Sequence, residues 1–190
     1  MVTLESMKEK DKSEFKQKIQ EAFGIAVAEN FGPTEPIPSD KELEEDFAAP
    51  DNTSFVILND GKKVGGAIVK INLETQRNSL ELFFIYAGVH GKGLGLAAWK
   101  AIEAKYPDTK AIKVNQMRHR HKYPDTKVWE TVTPYFEKRN INFYVNKCGF
   151  HIIEYVNKYH RGTDERFNRE IENDVPGTED FFRFEKIMSK

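Results

Sequence analysis

The sequence predicts a single α+β domain, and three features of its 190 residues support this class. Segments with apolar residues at helical spacing alternate along the chain with short runs rich in β-branched and aromatic residues. Two of those runs surround Asp60-Gly61, a pair that is typical of a β-hairpin turn. The length suits one domain that buries its own hydrophobic core without metals or disulfides.

The composition is that of an ordinary globular protein, and it disfavours several function classes. Apolar residues make up 39% and charged residues 31%, and a net charge of -1 creates no basic field for nucleic acid or membrane. Cys148 is the single cysteine, which fits a reducing compartment. The N-terminus lacks the apolar segment of a signal peptide, and the longest apolar run, residues 82–87, is too short to cross a bilayer. We therefore expect a cytoplasmic protein.

The first half of the chain predicts a strand, two helices and a hairpin. Pairs that resemble capping boxes indicate where the two helices begin, at Asp11 with Glu14 and at Ser39 with Glu42. In chain order, the predicted elements are a strand over 2–7, helices over 11–31 and 39–47, and the hairpin over 53–74.

The second half predicts further strands and helices around a glycine-rich turn. An apolar run predicts an interior strand, and Thr133-Pro134 is interpreted as the start of the last helix. In chain order, the predicted elements are a strand over 79–89, a helix over 94–106, a strand over 127–135, a helix over 135–148 and strands over 150–160 and 180–188.

Two segments are interpreted as additions to this core. The letters KYPDTK occur at 105–110 and again at 122–127, so residues 111–127 are interpreted as a duplicated insert. Its Met117, His119 and His121 are read as part of a solvated basic loop rather than a metal site, since no acidic or cysteine ligand is adjacent. Residues 161–179 are charged and are predicted to form a loop.

The stretch HGKGLG, residues 90–95, has the composition of a phosphate-binding turn. Gly91, Gly93 and Gly95 lie between the predicted interior strand and the next helix. Backbone N–H groups and the helix dipole can hold a pyrophosphate there, because glycines leave no Cβ in the way. The spacing matches neither GxxxxGK[ST] nor GxGxxG, since position 96 is Leu. A tight strand–helix connection without a ligand is the alternative.

Two motifs resemble those of the GNAT acetyltransferase superfamily. FFIYAGVHGKGLG resembles its motif A, [R/Q]-x-x-G-x-[G/A] after the fourth strand, with His90 where the family has Arg or Gln. NINFYVNKCGF, residues 140–150, resembles the later N…FY-x-K-x-GF. The resemblance covers roughly residues 50–160, and the first fifty residues match only in their helical layout.

The resemblance implies a mixed, mostly antiparallel sheet of six or seven strands with helices on both faces. It implies that the fourth and fifth strands splay apart and that acetyl-CoA, the co-substrate, enters the gap without any metal. The pantetheine arm would then pair with the fourth strand. The implied cofactor-binding residues are Ile85, Ala87, His90, Gly91, Lys92, Gly93, Leu94, Gly95, Leu96 and Asn142. The alternative for Lys92 is contact with solvent, and for Asn142 it is helix capping or contact with solvent.

The implied reaction is direct transfer of the acetyl group to a primary amine of a small molecule, peptide or protein. The Ile85 N–H would stabilise the developing oxyanion. Tyr144 would be the acid that protonates the leaving thiolate, and packing as an inner aromatic is its alternative role. The base is open between Glu81, which is preferred, Glu130 and a water relay.

A second function and the partners stay open at this stage. A non-catalytic acyl-CoA-binding or sensor protein would share the same motifs, and a homodimer is compatible with the resemblance. The acidic side chains of the 161–179 loop indicate either a cationic amine substrate or a solvated surface; they are Asp164, Glu165, Glu170, Glu172 and Asp174.

Overall fold

Seven strands form one sheet in the computed structural model, which describes residues 1–32, 36–72, 74–106, 127–162 and 180–188. The spatial order is β1-β2-β3-β4-β5-β7-β6, and only β4 and β5 are parallel. The predicted mixed, mostly antiparallel sheet is therefore confirmed. The strands are β1 (Val2–Ser6), β2 (Asn52–Asn59), β3 (Lys62–Lys70), β4 (Arg77–Ile85), β5 (Lys127–Pro134), β6 (His151–Val156) and β7 (Phe181–Met188).

Helices cover both faces of the sheet, as predicted. On one face, α1 and α2 bury Phe15, Ile19 and Leu43 against the strands, and on the other α3 buries Trp99 against Trp129. Burial of such large side chains is the main source of stability of the fold. The helices are α1 (Lys12–Phe31), α2 (Asp40–Ala48), α3 (Leu94–Lys105) and α4 (Lys138–Asn142), and α4 continues as a π-helix over Phe143–Cys148.

One of the two predicted capping boxes is confirmed. Ser39 Oγ accepts a hydrogen bond from Glu42 N at 3.3 Å, and the Glu42 carboxylate accepts one from Ser39 N at 2.7 Å. The prediction at Asp11 was wrong, because its carboxylate accepts from Lys8 N at 3.0 Å and from Lys63 Nζ at 2.9 Å. The carboxylate therefore pairs with a backbone N–H that precedes it and with a side chain of β3, not with the N–H groups that follow it in α1.

β4 and β5 pair over three residues near the N-terminal end of each strand. The paired residues are Arg77–Ser79 and Val128–Glu130. Thr131 Oγ1 then donates a hydrogen bond to the Leu80 carbonyl at 3.0 Å, and the register goes no further. This arrangement is consistent with the predicted splay between the fourth and fifth strands.

Two predicted boundaries were wrong near this gap. β4 ends at Ile85 instead of residue 89, because Val89 N donates to Tyr86 O and closes a 3₁₀ turn. Pro134 is the last residue of β5, not a helix start, since its carbonyl accepts from Glu137 N in the turn that precedes α4. Glu137 is consequently the N-cap of α4.

The two predicted additions mostly fall outside the described residues. The insert over 111–127, which includes Met117, His119 and His121, lies outside them except for Lys127 at the start of β5. The loop over 161–179 lies outside them beyond residue 162. Of the helices in the described part of the chain, none has the length and apolar character needed to span a membrane.

Candidate active site

A cleft of about 600 Å³ lies at the end of β4. α1 lines it on one face, through Ala22, Phe23 and Ala26. The first turn of α3 and the π-helix line it on the other face, and the end of β4 forms its floor. A cleft of this size has room for a cofactor-sized ligand.

The glycine turn forms one wall of the cleft, with the geometry that the sequence predicts. Gly91 and Gly93 have φ of 81° and 72°, the left-handed region that glycine adopts without strain. Gly93 caps α3, so the N–H groups of the first helical turn have no partner within the helix. A Cβ at Gly95 would lie 3.2 Å from the Phe143 ring, so a side chain there would press on the opposite wall.

The last residue of β4 presents its backbone to the gap. Tyr86 N donates to Val64 O on β3 at 2.8 Å. Because neighbouring residues of a strand point their N–H groups to opposite sides, the Ile85 N–H points towards the gap. The Ile85 carbonyl accepts a hydrogen bond from His90 Nε2 at 2.7 Å. His90 therefore contacts the strand end, which the sequence did not predict.

Tyr144 lies at the floor of the cleft, where β4 and β5 separate. Only 6% of its surface is exposed, and its ring packs against Phe143, Phe150 and Phe184. Burial raises the pKa of Tyr144 well above its usual value, and a hydrogen bond with Thr131 opposes this. The hydroxyl therefore keeps its proton at neutral pH and is able to donate it.

The π-helix explains a departure from the second motif. The chain has Val145 and Asn146 between Tyr144 and Lys147, where the quoted pattern FY-x-K-x-GF has one residue. A π-turn holds one residue more than an α-turn. The π-helix accommodates the extra residue. Gly149, with φ of 78°, ends this helix, and both Gly149 N and Phe150 N donate hydrogen bonds to Tyr144 O.

The two glutamates predicted as bases do not line the cleft. Glu130 is 3% exposed and pairs with Arg77, with Arg183 3.9 Å away. Glu81 is the extra residue of a β-bulge on β4 and is exposed near Asp46 of α2. The bulge leaves Glu81 outside the β3–β4 register.

Most of the predicted cofactor-binding residues come together in the cleft. Ala87 is turned away in the 3₁₀ turn, and Lys92 is exposed outside the lining. The Asn142 carbonyl group, Oδ1, accepts from Asn146 Nδ2 at 2.7 Å, at the rim. The predicted residues that line the cleft are Ile85, His90, Gly91, Gly93, Leu94, Gly95, Leu96, Asn142 and Tyr144.

The carboxylate that does line the cleft, Glu137, was missed. It is 7% exposed, and burial raises its pKa, with Arg139 opposing the shift and Glu29 adding to it. The sequence feature that could have revealed Glu137 is its position just after a strand that ends at Pro134. The interpretation of Thr133-Pro134 as a helix start concealed this signal, because it placed Glu137 inside a helix.

The family is established by comparison with known proteins. Residues 19–150 match the sequence model of the Acetyltransferase (GNAT) family. The chain belongs to the GNAT acetyltransferase family. An uncharacterized protein of Bacillus subtilis (strain 168), YrkN, is 53% identical to this GNAT chain, and the alignment covers 100% of the chain and 95% of YrkN.

Solved structures share the fold of this GNAT domain at low identity. The ribosomal-protein-S18-alanine N-acetyltransferase of Escherichia coli is 17% identical with a TM-score of 0.63, covering 100% of this chain and 96% of its own. A spermidine N-acetyltransferase of Vibrio cholerae, solved with CoA and spermine, is 16% identical with a TM-score of 0.64 and the same coverage, 100% and 96%. A Bacillus subtilis acetyltransferase solved with CoA is 15% identical with a TM-score of 0.62, covering 100% of both chains.

Proposed function

We propose that this GNAT protein transfers an acetyl group from acetyl-CoA to a primary amine of a small molecule, peptide or protein. One observation carries the proposal: the cleft brings the glycine turn, the end of β4 and Tyr144 to one place. The structural neighbours support it, since two were solved with CoA and two are named as N-acetyltransferases.

The residues present fit the pyrophosphate and pantetheine of acetyl-CoA. The first-turn N–H groups of α3 provide donors without side chains in the way, and Lys147 adds a positive charge to the same cleft. When bound, the co-substrate supplies the acetyl thioester. The Ile85 N–H would then donate to the oxygen that gains negative charge, and the Tyr144 hydroxyl would donate to the leaving sulfur.

The first experiment is a calorimetric titration of the full chain with acetyl-CoA, with ATP and NAD as controls. We expect micromolar binding of acetyl-CoA alone. Gly93→Glu should weaken this binding at least tenfold, about 1.4 kcal/mol, because it places a carboxylate beside the phosphates. Absence of acetyl-CoA binding by the folded wild type would contradict the proposal.

Two further variants separate charge from backbone strain. Gly93→Ala introduces the same left-handed strain as Gly93→Glu but no charge, so it should bind more tightly than the glutamate variant. Gly88→Glu adds the same carboxylate outside the cleft lining and should bind like the wild type. Binding without turnover of any amine would instead favour the acyl-CoA-binding or sensor function.

A further inference from the structure

The end of the cleft beside α1 is lined mainly by apolar side chains. We define the α1 end as Ala22, Phe23, Ala26, Phe84, Glu137 and Arg139. Apart from the last two, these side chains are apolar. Arg139 is exposed and lies 3.7 Å from the Glu29 carboxylate at the rim, which leaves Glu137 as the one buried charge among the described residues of this end.

Among the described residues, the electrostatic attraction of Arg139 is the one influence that favours the ionised Glu137 carboxylate. None of those residues gives it a hydrogen bond or an ion pair, although it is 7% exposed. Its oxygens are not among the fully enclosed polar atoms that lack a partner, so they open onto the cleft, where an ionised carboxylate gains from a hydrogen-bonding partner. A ligand that brings a positive charge would provide one.

Burial, more than the neighbouring charges, makes Glu137 a stronger base than an ordinary glutamate. Burial raises its pKa, Arg139 on α4 lowers it, and Glu29 on α1 raises it. Tyr144, further along the same helix, also lies within electrostatic range. A carboxylate with a raised pKa takes a proton from an ammonium group more readily.

We infer that Glu137 binds and deprotonates the acceptor's ammonium group, and that the acceptor is a monoamine with a compact apolar body. This inference rests on the proposed function. It follows from the single carboxylate, the apolar side chains around it and its position in the same cleft as Tyr144 and Ile85.

The transfer step then balances in protons and electrons. One proton of the ammonium group moves to the Glu137 carboxylate, and the nitrogen lone pair forms the new bond to the thioester carbon. The carbonyl π pair moves to oxygen as the bond to nitrogen forms and returns as the carbon–sulfur bond breaks, which leaves the bonding pair on sulfur. The Tyr144 hydroxyl gives its proton to that sulfur, and the second proton lost by the nitrogen as the amide forms restores the Tyr144 hydroxyl. Glu137 later releases its proton to solvent.

A polyamine fits the α1 end poorly. Each of its ammonium groups needs a carboxylate or water when it leaves bulk solvent. The described residues of this end offer Glu137, while Glu29 at the rim is already near Arg139. A second ammonium group would therefore lie against Ala22, Phe23 or Ala26 without a partner.

The test compares two amines that differ in one charge. The full chain is assayed at saturating acetyl-CoA with n-hexylamine and with 1,6-diaminohexane, which have the same carbon chain. We expect kcat/KM to be at least about tenfold higher for hexylamine. Burying an ammonium group without a partner costs more free energy than a tenfold ratio represents. Equal or higher kcat/KM for the diamine, or for spermidine, would overturn the inference about the acceptor.

Glu137→Gln tests the base, with Glu29→Gln as a matched control at the rim. We expect kcat with hexylamine to fall about 100-fold for Glu137→Gln and to change little for Glu29→Gln. In the wild type, kcat/KM should rise with pH through a value above the usual 4.5 as Glu137 ionises, and Glu137→Gln should lack this limb. Unchanged kcat and an unchanged pH profile in Glu137→Gln would refute the assignment.

The calorimetric titration separates failure of this inference from failure of the proposed function. If acetyl-CoA binds but neither hexylamine nor another apolar monoamine is acetylated, the inference is wrong and the co-substrate site remains. If acetyl-CoA does not bind, both fail.

Discussion

Tyr144 joins the packing of the core to the chemistry of the cleft. Its ring is enclosed by Phe143 of the π-helix, Phe150 just before β6 and Phe184 of β7, and its hydroxyl makes a hydrogen bond with Thr131 of β5. Because burial raises its pKa, this phenol stays protonated throughout the neutral range. Under the proposed function, a group held this rigidly would donate to the leaving sulfur without having to reorganise.

Replacing the Tyr144 hydroxyl should lower turnover and leave co-substrate binding nearly intact. For Tyr144→Phe we expect kcat to fall about 100-fold, because the leaving sulfur loses its proton donor. Tyr155→Phe on β6 is the matched control, since Tyr155 lies outside the cleft lining. Steady-state kinetics with calorimetry of acetyl-CoA binding measures both effects. Full turnover by Tyr144→Phe would remove the acid from the mechanism.

At the scale of elements, one arginine joins the two halves of the sheet. Arg77, the first residue of β4, pairs with Glu130 of β5 and Glu185 of β7. Those two glutamates stand directly opposite each other in the β5–β7 ladder. The cation therefore prevents repulsion of two carboxylates at the short parallel pairing that precedes the cleft.

Arg77→Ala should destabilise the protein strongly. Removing one partner of a buried ion pair costs about 3 kcal/mol of the free energy of unfolding, because Glu130 remains buried beside Glu185. Lys41→Ala, which removes an exposed pair with Glu45, should cost less than about 0.5 kcal/mol. Urea denaturation measures both, and Glu130→Gln should restore part of the loss in Arg77→Ala. Equal losses for Arg77→Ala and Lys41→Ala would contradict this role.

At the scale of the whole molecule, buried acids make stability depend on pH. Burial, with nearby Glu81, raises the pKa of Asp46 to about 6 from its usual 3.8. The folded state then keeps a proton on Asp46 at pH values where the unfolded chain has lost it. The free energy of unfolding therefore falls as pH rises from about 4 to about 6, and Glu137 contributes in the same direction.

Asp46→Asn should remove part of this pH dependence. Above pH 6 the variant should be more stable than the wild type by about 1 kcal/mol, a value reduced for solvent screening because Asp46 is half-buried. At pH 4 the two should unfold at nearly the same urea concentration. Asp51→Asn changes an exposed aspartate and should have little effect at either pH. A gain from Asp46→Asn that is as large at pH 4 as at pH 7.5 would exclude this origin.

Features that depend on near neighbours in the chain were predictable from the sequence. The Asp60-Gly61 hairpin, the Ser39–Glu42 capping box and the glycine turn each need only a few consecutive residues to specify their geometry. The strands and helices followed from apolar periodicity, and the family resemblance supplied the mixed, mostly antiparallel sheet with helices on both faces, which periodicity does not encode.

Features that depend on distant residues required the tertiary structure. Asp11 also pairs with Lys63, and Glu130 pairs with Arg77, because oppositely charged side chains from distant strands lie within reach. The bulge at Glu81 and the turn before α4 are backbone adjustments to neighbouring strands. The sequence by itself therefore determined where most strands and helices lie, the geometry of the glycine turn and the choice of Tyr144 as a candidate site residue. Only the tertiary structure decided which carboxylate lines the cleft, because burial and charge partners are set by packing between elements far apart in the chain.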